Sequence, residues 1–218
     1  MVLTELEILT ANIILVTKQD TPVGISSDEI APILKDVQFQ VGSGPPGQQQ
    51  VATLTSLREQ TVIVLTGNRL IFQDQSGISP PKPRLAEIVS GFANLLRDRT
   101  HFIAYGFNFD IAFDSKDDAP AAEIVLGRFI RADRLAERGL DNLKGAGLRL
   151  YYDSSQAKCD LRIEPLENRR DAARFYAHIN FHYELGDDDE IPDLATLRSD
   201  FAGKFQTFKD DLERLVIA

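Results

Sequence analysis

The stretch His101–Phe113, HFIAYGFNFDIAF, constrains the fold of this chain more than any other. Taken alternately, one side carries His101, Ile103, Tyr105, Phe107, Phe109, Ile111 and Phe113; the other carries Phe102, Ala104, Gly106, Asn108, Asp110 and Ala112. Successive side chains of an extended chain point to opposite faces. Large apolar residues on one side and mostly small or polar ones on the other therefore predict a long, half-buried strand. The sheet that contains it should have one packed face and one open face. The large side should lie under helices, and Ala104, Gly106 and Asn108 should help floor the open face.

The flanking sequence supplies the partners. Leu6–Thr17 is rich in Ile, Leu and Val and reads as a strand. Ser26 and Glu29 form a capping box ahead of a short helix reaching about Asp36, with Pro32 placed to kink or shorten it. Val37–Val41 alternates as a short strand, and the Gly- and Pro-rich Gly42–Gln50 is a loop. Strands are expected over Val51–Ser56, Thr61–Thr66 and Arg69–Gln75, the last two joined by the hairpin dipeptide Gly67-Asn68. A helix with apolar residues at helical spacing follows over Arg84–Asp98. Beyond the long strand, Asp118 can cap a helix that runs to Gly139. Three alternating runs, Leu148–Asp153, Lys158–Leu166 and Arg174–Leu185, are short-linked and should form an antiparallel meander. The stripe of Leu194, Leu197, Phe201, Phe205, Phe208, Leu212 and Leu215 closes the chain as a helix lying on a sheet.

This order is strand, helix, several strands, helix, and then the same again. It divides the chain into two α+β pseudo-repeats, 1–99 and 100–218, packed as one unit. The spacing between matching signals drifts along the chain, so there is no strict sequence repeat. The expected fold class is α+β: a large curved antiparallel sheet with helices packed on one face. In topology alone this is similar to TATA-binding protein, an analogy that carries no residues and no nucleic-acid function across.

Composition narrows the function classes. The formal net charge is −9, the wrong sign for nonspecific binding to nucleic acid or anionic membranes. One cysteine, Cys159, allows no intrachain disulfide and no cysteine-based zinc site within one chain. The start, MVLTELEIL, lacks a basic segment, and Ile13–Val16 is far too short to span a membrane. A cytoplasmic location is the expectation, with no membrane partner and no cofactor.

The best candidate surface is the polar side of the second meander. Arg174, Tyr176, His178, Asn180, His182 and Glu184 alternate with apolar residues, and neighbouring strands add Arg149, Tyr151, Asp153, Asp160, Arg162 and Glu164. Two of the chain's three histidines are here, and histidine serves as acid, base or ligand. The plain reading is a solvated face with cross-strand charge pairs, for instance Arg149 with Glu164. Tyr, His and Arg mixed on a flat face also suit a protein interface. His178 and His182 would stand about 13 Å apart on a strand, too far to share one ion, so no metal site is expected. Asp187–Glu190 reads as favourable charge before a helix N-terminus, and Gly42–Gly47 lacks the Lys and Ser/Thr of a phosphate-binding loop.

Three functions follow. The first is a non-enzymatic interaction or scaffold protein that binds a protein partner or itself through the open sheet face, using residues such as Tyr151, Arg162, Arg174, Tyr176, His178, Asn180 and His182. The second is a small hydrolase using His178 or His182 with a nearby carboxylate such as Glu184. The third is a binder of a phosphate-bearing ligand or nucleic acid. It would use Arg128, Arg131, Arg134 and Arg138, which fall in a stripe about 120° wide if one helix carries them all.

Overall fold

The computed structural model describes residues 4–20, 25–42, 51–78, 81–114, 120–130, 137, 146–166, 174–187 and 189–217. Its strands are β1 (Thr4–Thr17), β2 (Val37–Gly42), β3 (Val51–Ser56), β4 (Thr61–Thr66), β5 (Arg69–Asp74), β6 (Phe102–Asp114), β7 (Leu148–Ser154), β8 (Ala157–Pro165) and β9 (Arg174–Glu184). The helices are α1 (Ser27–Ile30), α2 (Arg84–Leu96), α3 (Ala121–Phe129) and α4 (Leu194–Leu212), the last running into a wider turn over Glu213–Ile217. All nine strands form one antiparallel sheet in the order β2-β3-β4-β5-β1-β6-β9-β8-β7.

The long strand is β6, and it pairs with β1 on one side and β9 on the other. Strand β1 is followed by β2 to β5, and β6 by β7 to β9. The last strand of each following meander, β5 or β9, returns to pair with its own opening strand.

The helices pack on one face of the sheet. Phe107, Phe109, Ile111 and Phe113 of β6 join Ile13 and Leu15 of β1 and Ile179 and Phe181 of β9 in a single core. That core also takes Leu85, Val89 and Phe92 of α2, Ile124 and Val125 of α3, and Phe201, Phe205 and Phe208 of α4. Phe109 stacks on Phe201 at 5.1 Å between ring centroids, with Phe205 at 5.3 Å. The opposite sides of β1, β3, β4 and β5 are half-buried at every second position. No helix among the described residues packs against those positions.

Boundaries differ from the sequence reading where a local cause exists. The capping box forms: Ser26 N–H donates to Glu29 Oε2 at 2.8 Å, and Glu29 N–H donates to Ser26 Oγ at 3.4 Å. Helix α1 nonetheless ends at Ile30, because Pro32 brings no N–H to continue it. Helix α3 ends at Phe129, where Ile130 turns extended, rather than running on to Gly139; Asp118 and Gly139 lie outside the described residues. No helix among the described residues is long and apolar enough to cross a membrane.

Glu29 ties α1 to the rest of the fold. The Arg99 guanidinium bonded to it, followed by the Ser26 N–H and hydroxyl, lowers its carboxyl to about 2 from an ordinary 4.5. A carboxylate with a depressed folded value contributes stability above its unfolded value and loses that contribution as pH falls through the folded one. The cap should hold at pH 4.5 and fail towards pH 2. An NMR titration of the Glu29 side chain should show its midpoint near 2, moving back up in Arg99→Gln. A midpoint at the ordinary carboxylate value in the native protein would show that the contact does not form in solution.

Candidate functional site: the open face of the sheet

The open face divides chemically at the β1–β6 seam. On the β3-β4-β5-β1 side it is β-branched and nearly uncharged. One cross-strand row runs Thr53, Val64, Ile71, Ile14, and ends on Gly106 and His182 beyond the seam. Val62, Thr55 and Val16 extend the same surface, with Arg69 at its margin. Residues of this kind favour strands because they pack side by side on a pleated surface.

The seam itself is polar. Asn12, Asn108 and Asn180 stand directly opposite one another on β1, β6 and β9. Asn108 Nδ2 donates to Asn12 Oδ1 at 2.7 Å, and Asn180 Nδ2 donates to Asn108 Oδ1 at 2.5 Å. Asn108 is buried although it lies on the face away from the helices. The ladder satisfies amide groups that would otherwise be costly to bury.

Beyond the seam the face is charged. Asp110 lies opposite His178, and its Oδ1 contacts His178 Nδ1 at 2.9 Å while also accepting a bond from the Tyr176 hydroxyl. Burial, and then the bond to Asp110, push the Tyr176 phenol well above its ordinary range. Arg174, with a side chain only 10% exposed, donates to Asp114 at 3.0 Å and Glu7 at 2.7 Å. Lys158 bonds Glu184 at 2.6 Å, and Arg162 bonds Glu164 at 2.7 Å. Each of these arrangements joins strands or near neighbours in register, as cross-strand pairs do.

The site residues expected from sequence fall out as follows. Arg162, Arg174, Tyr176, His178, Asn180, His182 and Glu184 share the open face, and Tyr151 lies beside them on β7, 69% exposed, with the Arg149 guanidinium 4.9 Å over its ring. His178 and His182 lie on one strand and do not converge. Asp110 is hydrogen-bonded to His178, while Glu184 bonds Lys158 and also feels the charge of His182. Arg149 pairs with Asp160 at 2.7 Å rather than with Glu164. The register sets Arg149 opposite Arg162, making both acids diagonal neighbours, and Arg162 claims Glu164. The Arg149 bond holds the Asp160 carboxyl below its usual range. Arg128 is on α3, in the helix layer, whereas Arg131, Arg134 and Arg138 lie outside the described residues.

Asp110 was on the expected small side of the long strand, yet its pairing with His178 spans 68 residues of sequence. Only the β6–β9 register brings them together. Chemically the pair orients an imidazole, but no hydroxyl or thiol nucleophile is hydrogen-bonded to His178 among the described residues, and Cys159 is buried on the opposite face. A cavity of about 480 Å³ lies elsewhere, lined by Asn94, Arg97, His101, Glu190 and neighbours where α2, β6 and α4 approach one another. The described residues contain no cluster of three or more His, Cys, Asp or Glu that could hold a metal ion. No protein-family model matches the chain, and no curated protein matches it.

Proposed function

We propose that the protein is a non-enzymatic binding protein that engages a protein partner, or a further copy of itself, through the open face of its sheet. The observation that carries this reading is the half-buried row of Thr53, Val64, Ile71 and Ile14, an apolar strip on a face that bears none of the helices described. Contiguous apolar surface rimmed by polar groups marks interaction sites. Here the rim is the Asn seam and the paired charges of β8 and β9, which are already neutralised by one another and so favour a partner of low net charge over nucleic acid. The symmetric return of β5 to β1 and of β9 to β6 supports taking 1–99 and 100–218 as two copies of one unit, as the topological analogy with TATA-binding protein suggests.

A photocrosslinking amino acid at Val64, on the open face, should capture a discrete protein species in cells. The same group at Gln206, exposed on α4, should not. Ile71→Lys puts a charge in the strip without touching the core and should reduce capture from Val64 at least tenfold while leaving the thermal midpoint almost unchanged. Equal capture from both faces, or capture indifferent to Ile71→Lys, would remove the open face as the binding surface.

The Asp110–His178 pair favours one second reading, a small hydrolase in which His178 is the acid–base group and Asp110, in place of Glu184, orients it. That reading requires a nucleophile or activated water beside the imidazole, and the binding reading does not.

A further inference from the structure

The sheet ends on two strands, β2 and β7, and they are built differently. Strand β7 carries Arg149 and Asp153, charges of the kind that discourage further strand pairing. Strand β2 has no charge, no proline and no bulge, and it pairs with β3 in unbroken register. Among the described residues β2 is the end strand of the sheet and no strand pairs with its outer edge. Phe39 and Val41, which share the helix side of the sheet, are 40% and 51% exposed.

Residues Val37-Gln38-Phe39-Gln40-Val41 read the same in both directions. An antiparallel pairing of two copies about a twofold axis at Phe39 would therefore match like with like. Phe39 meets Phe39 of the second copy. Val37 meets Val41, and Gln38 meets Gln40, each twice. Gly42 falls opposite Asp36, so the one nearby acid, held by Arg58 at 3.9 Å, never faces its own copy. The Phe39–Phe39 pair is of the aromatic kind that stabilises cross-strand neighbours, and no like charges stand opposite one another. Isologous interfaces of this kind require a self-complementary patch.

From this the geometry points to a second copy of this chain as the occupant of the β2 edge, joined antiparallel with its twofold axis at Phe39. The pairing fuses two nine-stranded sheets into one continuous sheet and brings the two uncharged halves of the open faces side by side.

The test uses the full chain. Sedimentation velocity across a concentration series should show a monomer–dimer equilibrium. Phe39→Lys sets two like charges at the axis and should weaken the dimer at least tenfold. The register is tested by charge pairs on the glutamines. Gln38→Lys with Gln40→Lys faces lysine with lysine twice and should dissociate the dimer. Gln38→Lys with Gln40→Glu faces lysine with glutamate twice and should restore it. In a Cys159→Ala background, Phe39→Cys should form an intermolecular disulfide on mild oxidation, since directly opposed strand residues lie within disulfide reach. A chain that stays monomeric and does not crosslink through Phe39→Cys overturns the proposal, and leaves the edge to an extended peptide of another protein. A dimer indifferent to Phe39→Lys and to both glutamine pairs overturns it in favour of a different interface.

Discussion

Phe109→Ala is expected to cost about 3–5 kcal/mol of folding stability, the range for emptying a fully buried aromatic site. Phe109 is 0% exposed and has four other phenylalanine rings around it. Phe201 and Phe205 of α4 lie at 5.1 and 5.3 Å, and Phe208 and Phe181 at 6.4 Å. Its removal leaves a cavity bordered by rings from two layers, which cannot all collapse into it at once. Part of the loss is ring–ring contact, about 0.5–1.5 kcal/mol for a favourable pair beyond buried area. Urea denaturation should show the full loss for Phe109→Ala and less than about 0.5 kcal/mol for Leu57→Ala, whose side chain is 73% exposed. Comparable losses for the two would mean that α4 does not lie on β6.

The second large effect is Gly106→Ala. A Cβ at Gly106 would sit 2.8 Å from the backbone oxygen of Phe181 on β9 and 3.7 Å from His182 Cα. The obstruction is main chain, so relief requires moving one central strand away from another. We expect a loss of about 1–3 kcal/mol, as for overpacking elsewhere. Faster amide exchange at Phe181 and Tyr183 should accompany it as the β6–β9 ladder weakens. The same change at Gly127 is the control. That residue is exposed on α3 with nothing within 4 Å of an added Cβ. Gly127→Ala should stabilise by up to about 1 kcal/mol, because alanine is the better helix former. One chemical change with opposite signs at two sites separates a close strand approach from ordinary glycine flexibility. Equal effects would show that β6 and β9 are not in the register described.

Much of this architecture was legible locally. The alternation of His101–Phe113 predicts the strand and which side lies under helices, because the two-residue period of a strand is a local property, but the strand is buried on both sides rather than half-buried, Ala104, Asn108 and Ala112 of the small side included. The Ser26–Glu29 capping box and the Phe201–Phe205–Phe208 stripe are local in the same way. The order of strands was not legible. Alternation says that a strand has two faces but not which strand lies beside it, and the β1–β6 pairing joins residues far apart in the chain. The site was hidden for the same reason. Asp110 looks like one polar residue among small ones until β9 brings His178 and Tyr176 to it. Arg149 could have gone to either diagonal acid, and competition with Arg162 decides between them.

The seam between β1 and β6 also governs the order in which the molecule can assemble on the ribosome. Synthesis delivers the chain from its N-terminus. Strands β1 to β5 and helix α2 are complete before any of β6 exists, and β1 can pair with β5 through the stretch from Ala11 to Val16. Until β6 arrives, the other side of β1 is the bare rim of a half-built sheet, with Asn12 exposing an amide that has no ladder to join. The amide that joins the ladder in the finished sheet is thus the one left without its Asn108 partner while the chain is still being made.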